Sequence, residues 1–87
     1  MADSVKVVSN RLLRTRLALG YDNQAEFCRQ IRVAKNVYNP FETGQRRITL
    51  DVAVKIRARF GISLDWIYCG DPSHLPQTIY PKVAPAA

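Results

Sequence analysis

The 87-residue sequence has no long apolar run. Its apolar clusters are short, as at Leu12-Leu13 and Val52-Ala53-Val54, whereas a membrane-spanning helix needs about 20 such residues in succession. The expectation is a chain with neither a membrane span nor a secretory leader, and cytoplasmic. Histidine occurs once, at His74, and cysteine twice, at Cys28 and Cys69. Two isolated thiols make no disulfide framework, and a reducing compartment keeps both free. Cys69, Asp71 and His74 offer three zinc ligands, but no fourth stands at a suitable spacing, so neither a metal nor another cofactor is expected. A glycine-rich phosphate loop and a cluster of paired carboxylates are also missing. Ser73-His74 beside Asp71 falls in a proline-flanked loop with no sign of a triad. The chain is not expected to be an enzyme, and no small-molecule ligand is expected.

Acidic charge is scarce in the first sixty residues. Twelve of the thirteen Lys and Arg lie there against five acids, a balance of +7, whereas residues 61–87 hold Lys82 against Asp65 and Asp71, a balance of −1. A basic body with a nearly neutral end suits a polyanionic partner. A hydrophobic share of 47% and a charged share of 23% belong to a globular chain, not a disordered one. At this length one core fits, with a thin stability margin that oligomerisation would widen.

What is present is helix punctuation. A first amphipathic stretch runs from about Ser9 to Leu19, with Ser9 or Asn10 as N-cap and Gly20 as a left-handed stop. Residues 1–8, with Val5, Val7 and Val8, either extend this helix or form an arm. Asn23, with Glu26 three residues on, has the pattern of a capping box and opens a short helix ending near Ile31. After Arg32-Val33 a third segment runs from Ala34 to about Phe41 and closes at Thr43-Gly44. The basic stretch Gln45-Arg46-Arg47 leads to Thr49, the N-cap of a fourth helix from Leu50 to Phe60. There Val52, Ile56 and Phe60 recur every four residues beside Ala53 as one buried stripe. Gly61 ends it. Ser63 caps a fifth helix, Leu64 to Cys69, stopped by Gly70. No period-two alternation bounded by turns argues for a strand. Pro72, Pro76, Pro81 and Pro85 make residues 72–87 an extended or mobile tail, from which Ile79, Tyr80 and Val83 can pack onto the body or a partner. Trp66 and Phe60 read as core, Tyr21 as the corner between the first two helices, and Tyr68 and Tyr80 as surface or interface residues.

The expected fold is all-α, a compact five-helix bundle with a helix-turn-helix inside it, residues 9–71 forming the domain. From Arg11 to Gly70 the sequence resembles the phage repressor and Cro type of helix-turn-helix domain, the XRE family with its lambda repressor-like fold. The landmarks are Arg11-Leu12 and Arg16 before Gly20, Asn23-Gln24-Ala25-Glu26, Val33 in the turn, Phe41-Glu42-Thr43-Gly44, and Ile62-Ser63-Leu64-Asp65-Trp66-Ile67.

The resemblance implies a sequence-specific binder of double-stranded DNA, a small transcriptional regulator acting as a repressor, with its third helix in the major groove. Base-facing positions map to Ala34, Lys35 and Asn36, with Tyr38 and Asn39 one turn on. The residue chemistry agrees: Lys35 can donate to guanine, Asn36 or Asn39 can pair with adenine, and Ala34 can meet a thymine methyl. Gln24, at the start of the second helix, maps to a phosphate contact, as do Arg46, Arg47 and Thr49. Arg16 and Glu42 map to a structural ion pair. Two departures stand out. Arg32 occupies a turn position usually held by glycine, at a strain of roughly 1–2 kcal/mol if it is left-handed. Pro40 falls inside the recognition segment, where it is expected to kink or end the helix near Tyr38; Tyr38 stands where the family usually has an aliphatic core residue and is expected to be half buried. A twofold homodimer on a palindromic operator is also implied, with Ile67, Tyr68, Leu75 and Ile79 as the expected interface. The competing reading is a protein-interaction module on the same fold, antitoxin-like or a co-regulator, favoured by Pro40 and the short recognition segment.

Overall fold

Helix starts are fixed where a side-chain oxygen meets the first free backbone N–H groups. In the computed structural model, which describes residues 2–83, four helices begin this way. Ser4 accepts from the Val7 N–H at the start of α1 (Val5–Ala18), and Asn23 accepts from Ala25 and Glu26 at α2 (Gln24–Ile31). Thr49 and Ser63 do the same for α4 (Leu50–Phe60) and α5 (Leu64–Cys69). α3 (Lys35–Glu42) begins at Ala34 without a side-chain cap, and a short α6 spans Tyr80–Val83. The Glu26 carboxylate does not return a bond to Asn23; it pairs with Arg29 at 3.1 Å. Gly61 and Gly70 end α4 and α5 in the left-handed conformation. Among the described residues there is no strand, and no helix is long and apolar enough to cross a membrane.

Three expectations are corrected. Neither Ser9 nor Asn10 is the N-cap of α1: of the two readings for the N-terminal residues, residues 5–8 extend the helix, because Val8 is buried (1% exposed) and draws the valine-rich segment onto the core. Ser9 lies inside the helix, its hydroxyl donating back to the Lys6 carbonyl. Residues 72–83 are neither extended nor free, since Leu75, Ile79 and Val83 are all buried and α6 packs on α1. Arg14 also donates to the Val83 carbonyl, at 3.4 Å. That leaves little of the expected dimer interface: Ile67, Leu75 and Ile79 belong to the chain's own core, and the Tyr68 hydroxyl donates to the Ile48 carbonyl at 2.9 Å. Finally, α3 runs through Pro40 to Glu42. Proline removes one donor, the one that would serve the Asn36 carbonyl. Asn36 is exposed, so losing that bond costs less than it would in a buried helix. The Pro40 carbonyl in turn accepts from the Gln45 and Arg46 N–H groups, which closes the loop after α3.

The core is aromatic on one side. Phe27 stacks on Phe60 at 5.5 Å, nearly parallel, and Tyr21 and Tyr38 surround the pair. On the other side Trp66 donates to the Thr15 hydroxyl, which donates to the Arg11 carbonyl at 2.6 Å. Arg11 lies over the Trp66 ring, donates to the Ile67 carbonyl at 3.0 Å and pairs with Asp3. The buried guanidinium thus joins the N-terminal residues, α1 and α5. A β-carbon at Gly70 would lie 2.6 Å from Arg11 Nη2, and the φ there is 75°. This stop therefore admits glycine for space as well as for backbone conformation.

Candidate nucleic-acid interface

The turn between α2 and α3 is built around Arg32. Its φ of 58° is the left-handed value foreseen for a position better suited to glycine. That twist lets the Val33 N–H reach the Cys28 carbonyl at 3.0 Å and sends the chain back into α3. At the uncapped start of α3, Ala34, Lys35, Asn36 and Val37 are all exposed. The free N–H groups of that first turn carry the positive end of the helix dipole. Val37, 48% exposed, lies on this surface, and a sequence reading based on hydrogen-bonding chemistry alone misses it.

Tyr38 does not belong to this surface. It is fully buried (0% exposed) between Phe27 and Phe41, so its assignment to base contact is withdrawn. Residues three apart on a helix share a face, so Tyr38 and Phe41 turn inward together, while Asn36 and Val37 turn outward beside the exposed Lys35 of the first turn. The Tyr38 hydroxyl has no hydrogen-bond partner. Burial first, and then the negative Glu42 nearby, push its pKa far above the ordinary tyrosine value. Asn39 is half buried at the edge of the exposed face.

Beside α3 lies a cleft of about 480 Å³, lined by Asn36, Val37, Pro40, Gln45, Arg46 and Thr49 together with Phe41. Arg46 and Thr49 are exposed there. The Thr49 hydroxyl is occupied as an acceptor by the Val52 N–H at 3.5 Å but retains its own proton as a donor. Arg47 is also exposed, but its guanidinium donates to the Asp3 carbonyl at 2.8 Å, which draws it toward the N-terminal residues. Gln24, the first residue of α2, is half buried, and its Oε1 is enclosed without a hydrogen-bond partner.

Electrostatics follow from where the acids go. Between Phe27 and Leu50 stand Arg29, Arg32, Lys35, Arg46 and Arg47 against a single acid, Glu42. Glu42 turns inward and is neutralised by Arg16, whose Nε and Nη2 donate to both carboxylate oxygens at 2.8–3.2 Å. Both side chains are largely enclosed, 8% and 6% exposed. Arg16 Nη1 donates to the Tyr21 and Asp22 carbonyls, so one guanidinium pins the end of α3 to the corner between α1 and α2. The bond to Glu42 outweighs burial and raises the Arg16 pKa, as a partner that favours the charged form must. The outer face of α3 and the following loop are left with positive charge and no free carboxylate.

Nothing in the remaining polar residues suggests a second chemistry. Asp71 accepts from the Ser73 N–H and hydroxyl, which holds a turn and lowers the carboxyl pKa. Cys28 is buried and Cys69 exposed, and the described residues contain no group of three or more His, Cys, Asp or Glu side chains placed to hold a metal ion.

No curated protein and no solved structure matches the chain. The profile of the Cro/C1-type helix-turn-helix family does match, over residues 12–67, which is more than half of the sequence and includes α2, the turn at Arg32 and α3. The chain therefore belongs to the Cro/C1-type helix-turn-helix (XRE) family of DNA-binding transcription regulators.

Proposed function

We propose that the protein is a sequence-specific reader of double-stranded DNA, a small repressor whose α3 enters the major groove. The observation that carries this reading is the exposed start of α3 beside Arg46, where the acid within α3, Glu42, is turned inward and neutralised by Arg16. Lys35 and Asn36 are the base readers, the first donating to guanine and the second pairing with adenine. Ala34 and Val37 supply apolar contacts to thymine methyl groups, and Asn39 reaches a base at the edge of the site. Arg46, the Thr49 hydroxyl and the Gln24 side-chain amide hold phosphates on either side. Arg47 contributes once its bond to Asp3 opens. Two copies on a palindrome would place their α3 helices about one helical turn of DNA apart.

The test is selection from a randomised duplex pool followed by sequencing, with wild type and K35A/N36A compared. A palindromic motif enriched by wild type and lost by the double variant supports base reading through α3. Binding that is steeply salt-dependent but yields no motif would reduce the activity to backbone attraction. An absence of binding at low salt would favour the protein-interaction reading, antitoxin-like or co-regulatory.

A further inference from the structure

Among the described residues, nothing covers the outer face of α4. Val52, Ala53 and Ile56 turn inward, and Leu50, Asp51, Val54, Arg57 and Ala58 lie on the opposite side of the helix, all exposed. Two of them are large apolar side chains left in solvent, Leu50 at 61% and Val54 at 41%. With the expected α5 and tail surface used up inside the core, this is the apolar helix face that remains near the DNA-reading end, since Thr49 at its start lines the cleft beside α3.

We infer that this face is the contact between two copies of the chain, packed antiparallel about a twofold axis at Val54. The reason is that the face complements itself. Reversing one helix against the other about Val54 sets Leu50 at the level of Ala58, a large side chain against a small one. It also sets Asp51 at the level of Arg57, opposite charges within reach of a long guanidinium, and each pairing occurs twice. Antiparallel packing further brings the positive end of each helix dipole beside the negative end of the other. A parallel arrangement would instead oppose like charges.

α4 is an 11-residue helix, about 16 Å long. One such pair buries less than the roughly 1,200 Å² of a standard stable interface, so the dimer is weak in free solution and is completed on DNA. The inference rests on the reading that two copies share one operator, but its test is separable from that reading.

The experiment is sedimentation equilibrium without DNA, up to high micromolar concentration, on wild type, V54E, D51R, R57D and an equimolar mixture of D51R with R57D. Circular dichroism melting verifies that each is folded, and all the changes are at exposed positions. The expected result is weak dimerisation of wild type and at least tenfold weaker association for V54E and for each charge reversal alone. The mixture should regain association, because the heterodimer restores an Asp–Arg pairing that each variant alone has lost. A strictly monomeric wild type, dimers that survive V54E, or a mixture no better than its components would overturn the assignment. Binding to a duplex with a single half-site, measured alongside, should be unchanged in V54E. Loss of half-site binding in wild type itself would count against DNA reading and leave the α4 result standing.

Discussion

Removing Glu42 should cost more than any surface change in this protein. In wild type its carboxylate accepts three bonds from Arg16, at 3.2 Å, 3.0 Å and 2.8 Å, in a site where both side chains are largely enclosed. Such charge-assisted bonds are roughly twice as strong as neutral ones. Glu42→Ala strands a buried guanidinium that cannot shed its proton, a situation that costs about 3–5 kcal/mol. A domain of this length is stable by about 4–13 kcal/mol in total, so the variant should melt at least about 12 °C lower. Arg16→Ala should cost a similar amount, since it strands the Glu42 carboxylate and deprives the Tyr21 and Asp22 carbonyls of a donor. The replacement R16M/E42L leaves no charge behind. Its residual cost is the two carbonyls, which water can reach because Asp22 is exposed and Tyr21 half buried. That cost is about 1–2 kcal/mol. Urea unfolding of wild type, Arg16→Ala, Glu42→Ala and the double variant R16A/E42A closes a double-mutant cycle, with R16M/E42L measured beside it. The reasoning fails if either single change costs under about 1 kcal/mol, or if the double costs the sum of its parts. The first would mean that water already enters the site, the second that the two residues act separately.

Four further outcomes can be checked on the same purified protein. Arg32→Gly relieves a left-handed arginine and should stabilise by roughly 0.5–1 kcal/mol in urea unfolding. A loss of stability instead would mean that the extra chain entropy of glycine in the unfolded state outweighs the relief of strain. Tyr38→Phe removes a buried hydroxyl without a partner and should be neutral or stabilising by about 1 kcal/mol. A loss of that size would instead place a hydrogen bond from this hydroxyl to Glu42. The folded state holds Tyr38 protonated far above the ordinary tyrosine value. Its contribution is therefore complete below about pH 10, the range of an unfolded tyrosine, and is lost as pH rises further. Tyr38→Phe should accordingly shift the alkaline unfolding midpoint upward. Gly70→Ala should cost distinctly more than Gly20→Ala, since both positions have positive φ but only Gly70 abuts the Arg11 guanidinium, whereas nothing lies within 4 Å of a β-carbon at Gly20. Iodoacetamide should label exposed Cys69 first, with Cys28 slow, since burial shields its thiol and raises its pKa, and the thiolate is the reactive form.

The helix boundaries that can be read from sequence are those written in side-chain caps and glycine stops. Asn23, Thr49, Ser63, Gly61 and Gly70 all act locally, and each does so through a bond or a φ value that a short stretch of chain determines. The start of α1 is hidden because valines are weak helix formers, and only the burial of Val8 against distant elements decides the matter. The docked tail is masked by its prolines: Leu75, Ile79 and Val83 are all buried, but only Val83 lies in a helix, so no helical periodicity announces the docking. At the site, Lys35, Asn36 and Arg46 are legible as exposed polar chemistry. Tyr38 is misplaced because the base-facing positions carried over from the family were extended one turn along the helix, whereas its spacing to Phe41, against which it packs, marks the inward face. The bond between Arg47 and Asp3 links residues 44 positions apart, and no local pattern carries such information.

The division of the arginines explains how a basic chain of this size can hold both a core and a polyanion surface. Arg11 and Arg16 are buried, and each is paired with its own carboxylate, Asp3 and Glu42, so together the four residues contribute no net charge. The formal +6 of the chain is therefore carried by side chains outside these two pairs. Attraction to phosphate and stability of the fold then draw on different residues. Salt should weaken the first through counterion screening and release while hardly touching the second, because buried pairs are screened far less than exposed ones. A rise in salt that abolished DNA binding and also lowered the melting temperature steeply would show the opposite arrangement, with the exposed charges holding the fold together.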